Sequence, residues 1–188
     1  MKNISEVRIH GRGGQGAVTA AELIAVAAFY DGKCPQAFPN FGVERRGAPL
    51  MAYCRIADEP IRLREQIYTP DFVIIQDETL IGGVAELMVG IEECKGVLIN
   101  AEKQEWPEIK NKNIVVVPAT KIALEKIGKP FINTALIGAF AAMSKLITLE
   151  SLKKALAERF PEKLAKVNIE AMEAAYEYVV ESYKVKSS

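Results

Sequence analysis

A glycine-rich loop between a short apolar strand and a long apolar helix constrains this chain more than any other feature. Residues 10–16 read HGRGGQG, and the following segment AVTAAELIAVAAFY from Ala17 contains good helix formers without proline or glycine. Before the loop, Val7, Arg8 and Ile9 alternate as in a half-buried strand. Glycines leave backbone N–H groups uncovered at a helix N-terminus, where the helix dipole favours an anion. The loop is therefore a candidate anion or backbone-docking site, and the simpler alternative is a turn that only packs the helix on the strand.

Two common nucleotide-binding motifs do not fit this loop. Gly11, Gly13 and Gly16 satisfy G-x-G-x-x-G, but a dinucleotide-binding unit also needs a carboxylate about 20 residues later, at the end of a second strand. Asp31 lies at that distance, yet with Gly32 it forms the predicted end of the helix and follows no second strand. The Gly-Lys-Ser/Thr of a Walker loop is absent as well. A nicotinamide cofactor is therefore disfavoured, and a general anion site remains.

The composition favours one domain without net charge. The chain has 188 residues, is 49% hydrophobic, and carries 24 basic and 24 acidic side chains. This length suits a single domain, residues 1–188, with a substantial core. The balanced charge gives no overall field that would attract nucleic acid or an anionic membrane. No apolar run reaches the length of a bilayer span and the N-terminus is not typical of a signal peptide, so we expect a cytoplasmic protein.

Residues of common catalytic and metal sites are sparse. Cys34, Cys54 and Cys94 are widely spaced and form no C-x-x-C pair, so the sequence predicts neither zinc nor iron–sulfur ligands. His10 is the only histidine. Beside the loop it could contact a ligand, but we interpret it as a hydrogen-bonded structural residue. We expect no catalytic residue and no metal site on this chain.

The order of apolar segments predicts an α/β fold. Further strands are predicted at residues 50–56, 72–76, 96–100 and 114–118, and further helices at residues 79–89, 119–127, 131–147, 149–160 and 162–183. This alternation predicts three layers: a mainly parallel, Rossmann-like sheet with helices on both faces, ending in C-terminal helices. Asn133 and Thr134 are predicted to cap their helix or to face a ligand. Two prolines and two glycines in residues 32–42 predict an exposed loop without a regular element.

A second motif, FPNFGVERRGAP, begins at Phe38. Phe38 and Phe41 are aromatic residues on the predicted loop, and such residues either fold back on the core or cover a partner. Arg45 and Arg46 suit a phosphate, a carboxylate or a neighbouring chain, because the guanidinium binds such groups through two hydrogen bonds. The simpler interpretation is a solvated turn with an internal ion pair to Glu44.

Together, HGRGGQGAVTAAELIAVAAFYDGK and QAFPNFGVERRGAPLMAYCRI resemble the gamma subunit, or gamma domain, of the 2-oxoacid:ferredoxin oxidoreductases, and the pyruvate enzyme is the most similar. The resemblance is densest over residues 7–76 and extends over nearly the whole chain. It implies a multi-subunit pyruvate synthase that oxidatively decarboxylates pyruvate with coenzyme A (CoA) to acetyl-CoA and CO₂ and reduces ferredoxin. In such enzymes the alpha and beta subunits hold thiamine diphosphate with magnesium, and a small delta subunit carries iron–sulfur clusters.

The resemblance further implies an accessory, non-catalytic chain that packs on the alpha, beta and delta subunits and helps to accommodate CoA. The candidate contacts for the anionic end of CoA are the loop and the basic pair: Gly11, Arg12, Gly13, Gly14, Gln15, Gly16, Arg45 and Arg46. Both stretches are alternatively a protein–protein surface, with Phe38 and Phe41 as anchors. A stand-alone nucleotide-binding, phosphate-binding or scaffolding domain is the other alternative, while an autonomous dehydrogenase is weakened by the missing acid.

Overall fold

A computed structural model of the chain describes residues 4–40 and 46–186. Within them six strands form one sheet: β1 (Ile4–Arg12), β2 (Cys34–Pro39), β3 (Pro49–Ala57), β4 (Phe72–Ile75), β5 (Gly96–Asn100) and β6 (Ile114–Val117). The α-helices are α1 (Ala17–Tyr30), α2 (Ala85–Met88), α3 (Ala119–Ile127), α4 (Ile132–Ser144), α5 (Leu149–Arg159) and α6 (Glu162–Lys186). A 3₁₀ helix at Glu78–Leu80 precedes α2.

The sheet is mixed and mainly parallel, in the order β2-β3-β1-β4-β5-β6. The strands β1, β4, β5 and β6 run parallel to one another, whereas β3 is antiparallel to both of its neighbours, β1 and β2. The predicted α/β class with a mainly parallel sheet is confirmed. The four parallel strands end at the same edge, which places the ends of β1 and β4 side by side.

Five helices cover one face of the sheet and form the larger apolar core. On β1, Val7 and Ile9 point to this face and are fully buried in this core, beneath α1. The helices α4 and α6 approach each other closely, since a Cβ added to Gly138 would be 2.1 Å from the backbone oxygen of Met172. Small residues in α4 therefore allow it to pack close to α6.

The opposite face is covered by a thinner layer. It consists of the 3₁₀ helix, α2 and irregular segments, whose buried residues include Leu80, Leu87, Ile91 and Ile109. Below it, β1 directs Arg8 and His10 into the interior, only 2% and 1% exposed. This part of β1 is therefore buried on both faces, with polar side chains on one of them. The expectation of a half-buried strand was wrong at this position.

Two other elements differ from the prediction. Residues 34–39 form the strand β2, not part of a loop, with Phe38 opposite Tyr53 of β3. Its prolines are tolerated because β2 is an edge strand that pairs on one side only. The single helix predicted at residues 79–89 is divided into the 3₁₀ helix and α2, because Gly82 has a φ of 78° and interrupts the helix.

The helices α1, α3, α5 and α6 are confirmed, and α4 ends three residues before its predicted end because Lys145 adopts a φ of 56°. The predicted end of α1 is confirmed as well, and Asp31 has a structural role there. Its carboxylate accepts hydrogen bonds from the N–H of Thr148 (2.7 Å) and the hydroxyl of Ser151 (2.6 Å) at the start of α5. This carboxylate holds two helices together, so it is engaged away from the glycine loop.

Candidate functional site

A pocket of about 830 Å³ opens at the edge where the parallel strands end. From β1 the chain crosses through α1 to the β2 side of the sheet, whereas β4 lies on the other side of β1. Ligands of open α/β sheets bind at such a change of direction, outside the carboxyl ends of the strands. We call this space the edge pocket; it is lined by Gly14, Gln15, Gln76, Asp77, Glu78, Thr79, Asn100, Ala101, Glu102, Lys103, Pro118, Thr120, Lys121, Pro130, Phe131 and Ile132.

The glycine loop, residues 11–16, forms one wall of the edge pocket. Gly11 and Arg12 still belong to β1, and the chain turns at Gly14 and Gly16, whose φ angles are 95° and 76°. Gly16 is also the N-cap of α1, and a Cβ there would lie 2.8 Å from Nδ2 of Asn133. Positive φ and close approach together explain why glycine occupies this position.

Part of the loop is already hydrogen-bonded within the protein. The N–H of Arg12 donates to Oε1 of Gln15 (2.7 Å), and the N–H of Gly13 donates to the carbonyl of Ala48 (2.9 Å). By contrast, the first turn of α1 has neither a side-chain cap nor an acidic residue, and Gly14 is exposed. An anion at this loop would therefore be bound by the N-terminal end of α1 more than by the preceding amides.

Arg12 is held against the end of β4. Its Nε lies 3.1 Å from Oδ2 of Asp77, and its terminal nitrogens donate to the carbonyl of Gly47 (3.1 Å) and the hydroxyl of Thr79 (2.7 Å). Gln15 also donates to Asp77, at 2.9 Å. Burial raises the pKa of Asp77, but the hydrogen bonds from Thr79 and Gln15 and the charge of Arg12 outweigh it, so the net pKa is lowered. Arg12 thus fixes the shape of the loop.

Arg46 of the basic pair lies next to the glycine loop in space. Gly13 and Arg46 form a parallel bridge, and the N–H of Gly47 donates to the carbonyl of Gly13 at 3.0 Å. The side chain of Arg46 is exposed. Two of the predicted site segments, separated by about thirty residues, are therefore neighbours, whereas Arg45 and Phe41 lie outside the described residues.

The turn after β4 contains a polar side chain that the sequence analysis did not single out. Gln76 is 1% exposed, and neither its Nε2 nor its Oε1 has a hydrogen-bond partner among the described residues. Leaving such a buried group unpaired costs about 1–3 kcal/mol. A polar residue directly after a fully buried strand of a parallel sheet was the available signal, because that position meets the ligand edge.

The neighbouring amide, Asn100 at the end of β5, is satisfied. Its Nδ2 donates to the carbonyl of Gln76 and to the hydroxyl of Thr120, both at 3.0 Å, and its Oδ1 accepts from the N–H of Thr120 at 3.1 Å. Asn100 therefore joins β4 and β5 to the start of α3. It shapes the edge pocket but has little remaining capacity for a ligand.

Other residues singled out in the sequence have structural roles. Nε of Arg8 donates to Nε2 of His10 at 2.9 Å, and burial followed by the charge of Arg8 lowers the pKa of His10 to about 3, so this histidine is neutral. Phe38 packs against Tyr53, with ring centroids 5.0 Å apart. The predicted capping of α4 by Asn133 or Thr134 was wrong, because α4 has no side-chain cap. Thr134 is buried, and its hydroxyl donates to Oδ1 of Asn168 at 2.8 Å.

The cysteines do not come together. Cys54 is buried on the helix-covered face and Cys94 on the opposite face, so the sheet separates them. Burial raises the pKa of the Cys54 thiol to about 12. Among residues 4–40 and 46–186, no group of three or more histidine, cysteine, aspartate or glutamate residues is arranged to hold a metal ion. In the same part of the chain, no helix is both long and apolar enough to span a membrane.

Comparison with known proteins identifies the family. The family described as pyruvate ferredoxin/flavodoxin oxidoreductase matches residues 6–178. Pyruvate synthase subunit PorC of Methanothermobacter marburgensis is 52% identical over 92% of this chain and 96% of its own length. The common gamma subunit of the pyruvate and ketoisovalerate oxidoreductases of Pyrococcus furiosus is 46% identical over 92% and 95%.

A solved structure agrees with these relatives. The crystal structure of pyruvate oxidoreductase subunit PORC from Thermotoga maritima superimposes with a TM-score of 0.82 at 34% identity and covers 94% of this chain and 97% of that one. Sequence and fold thus match over nearly the full length of both proteins. The chain belongs to the pyruvate ferredoxin/flavodoxin oxidoreductase family, in which it is a gamma subunit.

Proposed function

We propose that this chain enters a pyruvate:ferredoxin oxidoreductase as one non-catalytic domain. The alpha and beta subunits hold thiamine diphosphate and magnesium, and the delta subunit carries the iron–sulfur clusters that reduce ferredoxin. The assembly converts pyruvate and CoA to acetyl-CoA and CO₂. The P. furiosus relative is named as a subunit common to a pyruvate and a ketoisovalerate enzyme, which supports placing the choice of 2-oxoacid in the other subunits.

Within that assembly, this chain binds the anionic end of CoA. The observation that carries the proposal is the uncapped N-terminus of α1, which meets the edge pocket at the glycine loop and has no acidic residue in its first turn. The backbone of Gly14 and Gly16 and the partial positive charge of the helix suit a phosphate group. Arg46, whose backbone is bridged to Gly13 and whose side chain is exposed, adds a guanidinium next to the loop.

The predicted site residues divide into two roles in this proposal. Gly14, Gly16, Arg46 and its neighbour Arg45 contact the phosphates. The remaining loop residues shape the site, because they already have partners within the protein or pack beneath it: Gly11, Arg12, Gly13 and Gln15. The loop is therefore a rigid support, which lowers the entropic cost of ordering it when CoA binds.

Steady-state kinetics of the assembled enzyme test the CoA site. In Arg46→Gln we expect KM for CoA to rise about tenfold with kcat and KM for pyruvate nearly unchanged, as for a contact equally strong in the ground and transition states. Arg64→Gln is the matched control, since Arg64 is an exposed arginine on the segment between β3 and β4. The difference in KM for CoA between Arg46→Gln and the wild type should also become smaller as the salt concentration is raised.

Anaerobic purification of the tagged chain from its host separates this proposal from its alternatives. Thiamine-binding and cluster-binding subunits should co-purify in equal amounts with the wild-type chain and with Arg46→Gln. Loss of those subunits from Arg46→Gln, with an unchanged KM for CoA in any remaining complex, would show that the basic pair is a protein–protein contact. A chain that purifies alone would support a stand-alone nucleotide-binding or scaffolding domain.

A further inference from the structure

The edge pocket contains one polar group that the fold leaves unused. Both polar atoms of the Gln76 carboxamide lack a partner among the described residues, although the backbone N–H of Gln76 donates to the carbonyl of His10 (2.8 Å) and its carbonyl accepts from Asn100 (3.0 Å). The backbone of Gln76 is thus fixed, whereas both polar atoms of its side chain are buried and unpaired. Gln76 also lines the edge pocket, so its available partner is whatever occupies that pocket.

Space for this carboxamide is provided by a glycine. A Cβ on Gly11 would lie only 2.4 Å from Oε1 of Gln76 and 3.3 Å from Oε1 of Gln15. The terminal torsion of glutamine is broad, so the amide plane can turn to match the donors and acceptors of a ligand without backbone movement. Gly11 therefore lets Gln76 lie directly beneath the glycine loop, close to the proposed phosphate contacts.

We propose that Gln76 is the specificity-determining residue for the adenine ring of CoA, an inference that rests on the proposed CoA site. A carboxamide presents one donor and one acceptor side by side, and the N6/N7 edge of adenine presents the complementary pair. The neighbouring Asn100 is already committed to Gln76 and Thr120. The carboxamide of Gln15, which also lines the pocket, accepts from the N–H of Arg12 and donates to Asp77. Gln76 is therefore the amide of the edge pocket that can form this pair.

The pocket wall favours a flat ring over the amides of the pantetheine arm. Phe131 lines the edge pocket with 48% of its surface exposed, alongside Pro118 and Pro130. An exposed aromatic ring of this kind stacks with nucleobases. With the adenine here and the phosphates at the loop, the long pantetheine arm leaves the chain and carries the thiol toward the thiamine-binding subunits.

Gln76→Met in the assembled enzyme tests this inference, because methionine keeps the length and lack of branching but removes both polar atoms. We expect KM for CoA to rise about tenfold, within the range of one bidentate base contact. The probe for the ring is 1,N6-etheno-CoA, whose N6 carries no hydrogen. Wild-type enzyme should show a higher KM for it than for CoA, and Gln76→Met should show the same KM for both.

A second variant and a control keep the result interpretable. Gly11→Ala displaces the carboxamide of Gln76 without removing it, so this variant alone should also raise KM for CoA. Gln66→Met, at an exposed glutamine on another segment, should leave both KM values unchanged. Thermal unfolding of Gln76→Met should occur at the same or a higher temperature, because an unpaired buried amide has been removed.

The possible failures are distinguishable. Equal increases in KM for CoA and 1,N6-etheno-CoA would assign Gln76 to the pantetheine amides and overturn the adenine contact. Unchanged KM values in Gln76→Met, with CoA still protecting residues 11–16 from hydrogen exchange, would overturn only this inference. Absence of that protection together with an unaffected Arg46→Gln would overturn the proposed CoA site itself.

Discussion

The two faces of the sheet are stabilised in different ways, and β1 shows both. On one side Val7 and Ile9 are buried beneath long helices, in a core of apolar side chains. On the other side Arg8 is equally buried, but its guanidinium donates hydrogen bonds to the carbonyls of Tyr68 (3.3 Å) and Val89 (2.6 Å) and to the imidazole of His10. The first face depends on packing of regular elements, whereas on the second face a buried charged side chain holds irregular segments in place beside a smaller apolar cluster.

This difference indicates which parts of the molecule shape the edge pocket. The pocket wall formed by Asp77, Glu78 and Thr79 continues into the thin layer and is not part of the helical core. Arg8 donates to Leu87 (3.0 Å) as well as Val89, at the end of α2. The thin layer has little regular structure, and its apolar cluster is smaller than the helical core, so we expect it to open at lower free energy than the helical side.

Replacing Arg8 should have the largest effect on stability. In Arg8→Met, several carbonyls of the thin layer lose a buried charged donor, and we expect the free energy of unfolding to fall by about 3 kcal/mol or more. Denaturant unfolding measures the loss, and hydrogen exchange should rise first around Leu87 and Ile91. Ile9→Val, on the opposite face of the same strand, is the control and should cost only about 1 kcal/mol. Equal losses in the two variants would contradict the comparison.

A glycine substitution tests the packing of the helical face. In Gly138→Ala the new Cβ meets the backbone oxygen of Met172, which cannot rotate away, so α4 and α6 must separate. We expect a loss of about 2 kcal/mol by thermal or denaturant unfolding, although Gly→Ala within a helix ordinarily stabilises it. Gly83→Ala in the thin layer, with no neighbouring atom closer than 3.7 Å, should change stability by less than about 0.5 kcal/mol. A neutral Gly138→Ala would show that the two helices pack less tightly than described.

The polar face should make stability depend on pH. The pKa of His10 falls from 6.5 in the unfolded chain to about 3 in the folded chain, so between these values the unfolded state binds more protons. The stability that neutral His10 provides is fully present above pH 6.5 and is lost progressively as the pH falls toward 3. By pH 5 the free energy of unfolding should have fallen by about 2 kcal/mol. Unfolding at pH 7.5, 6.5, 5.5 and 5 measures the slope. His10→Gln keeps an acceptor for Arg8 but cannot titrate, so an unchanged slope in that variant would assign the effect to other groups.

The sequence predicts elements that depend on local pattern and misses those that depend on a distant neighbour. The apolar runs of β4, β5 and β6 were predicted correctly because strands buried on both faces have few polar residues. Cys34–Pro39 was not predicted as a strand, since two prolines are compatible with a strand only at a sheet edge. The irregular structure of the thin layer could not be predicted either. The composition of residues 79–89 suits a single helix, but Gly82 adopts a left-handed conformation and divides it.

The candidate site shows the same limit. The motif at residues 10–16 locates the loop, and the second motif places Arg46, but only the fold shows that Gly13 and Arg46 are bridged. The unpaired state of Gln76 could not be predicted from its residue type. It depends on which groups around it are already hydrogen-bonded, a property of the whole sheet edge.

Asp31 provides the smallest effect and separates a structural carboxylate from a ligand-binding one. Asp31→Ala removes acceptors for Thr148 and Ser151 at the start of α5, so we expect a loss of about 1 kcal/mol, as for other helix caps. We expect KM for CoA to be the same in Asp31→Ala and in the wild type. The affinity of the chain for NADH should also be unchanged. Asp58→Ala, at an exposed carboxylate beside Lys33, is the control for a surface ion pair and should cost less. A rise in KM for CoA in Asp31→Ala alone would mean that α5 and the glycine loop are coupled through α1, and that the helical face contributes to binding as well as to stability.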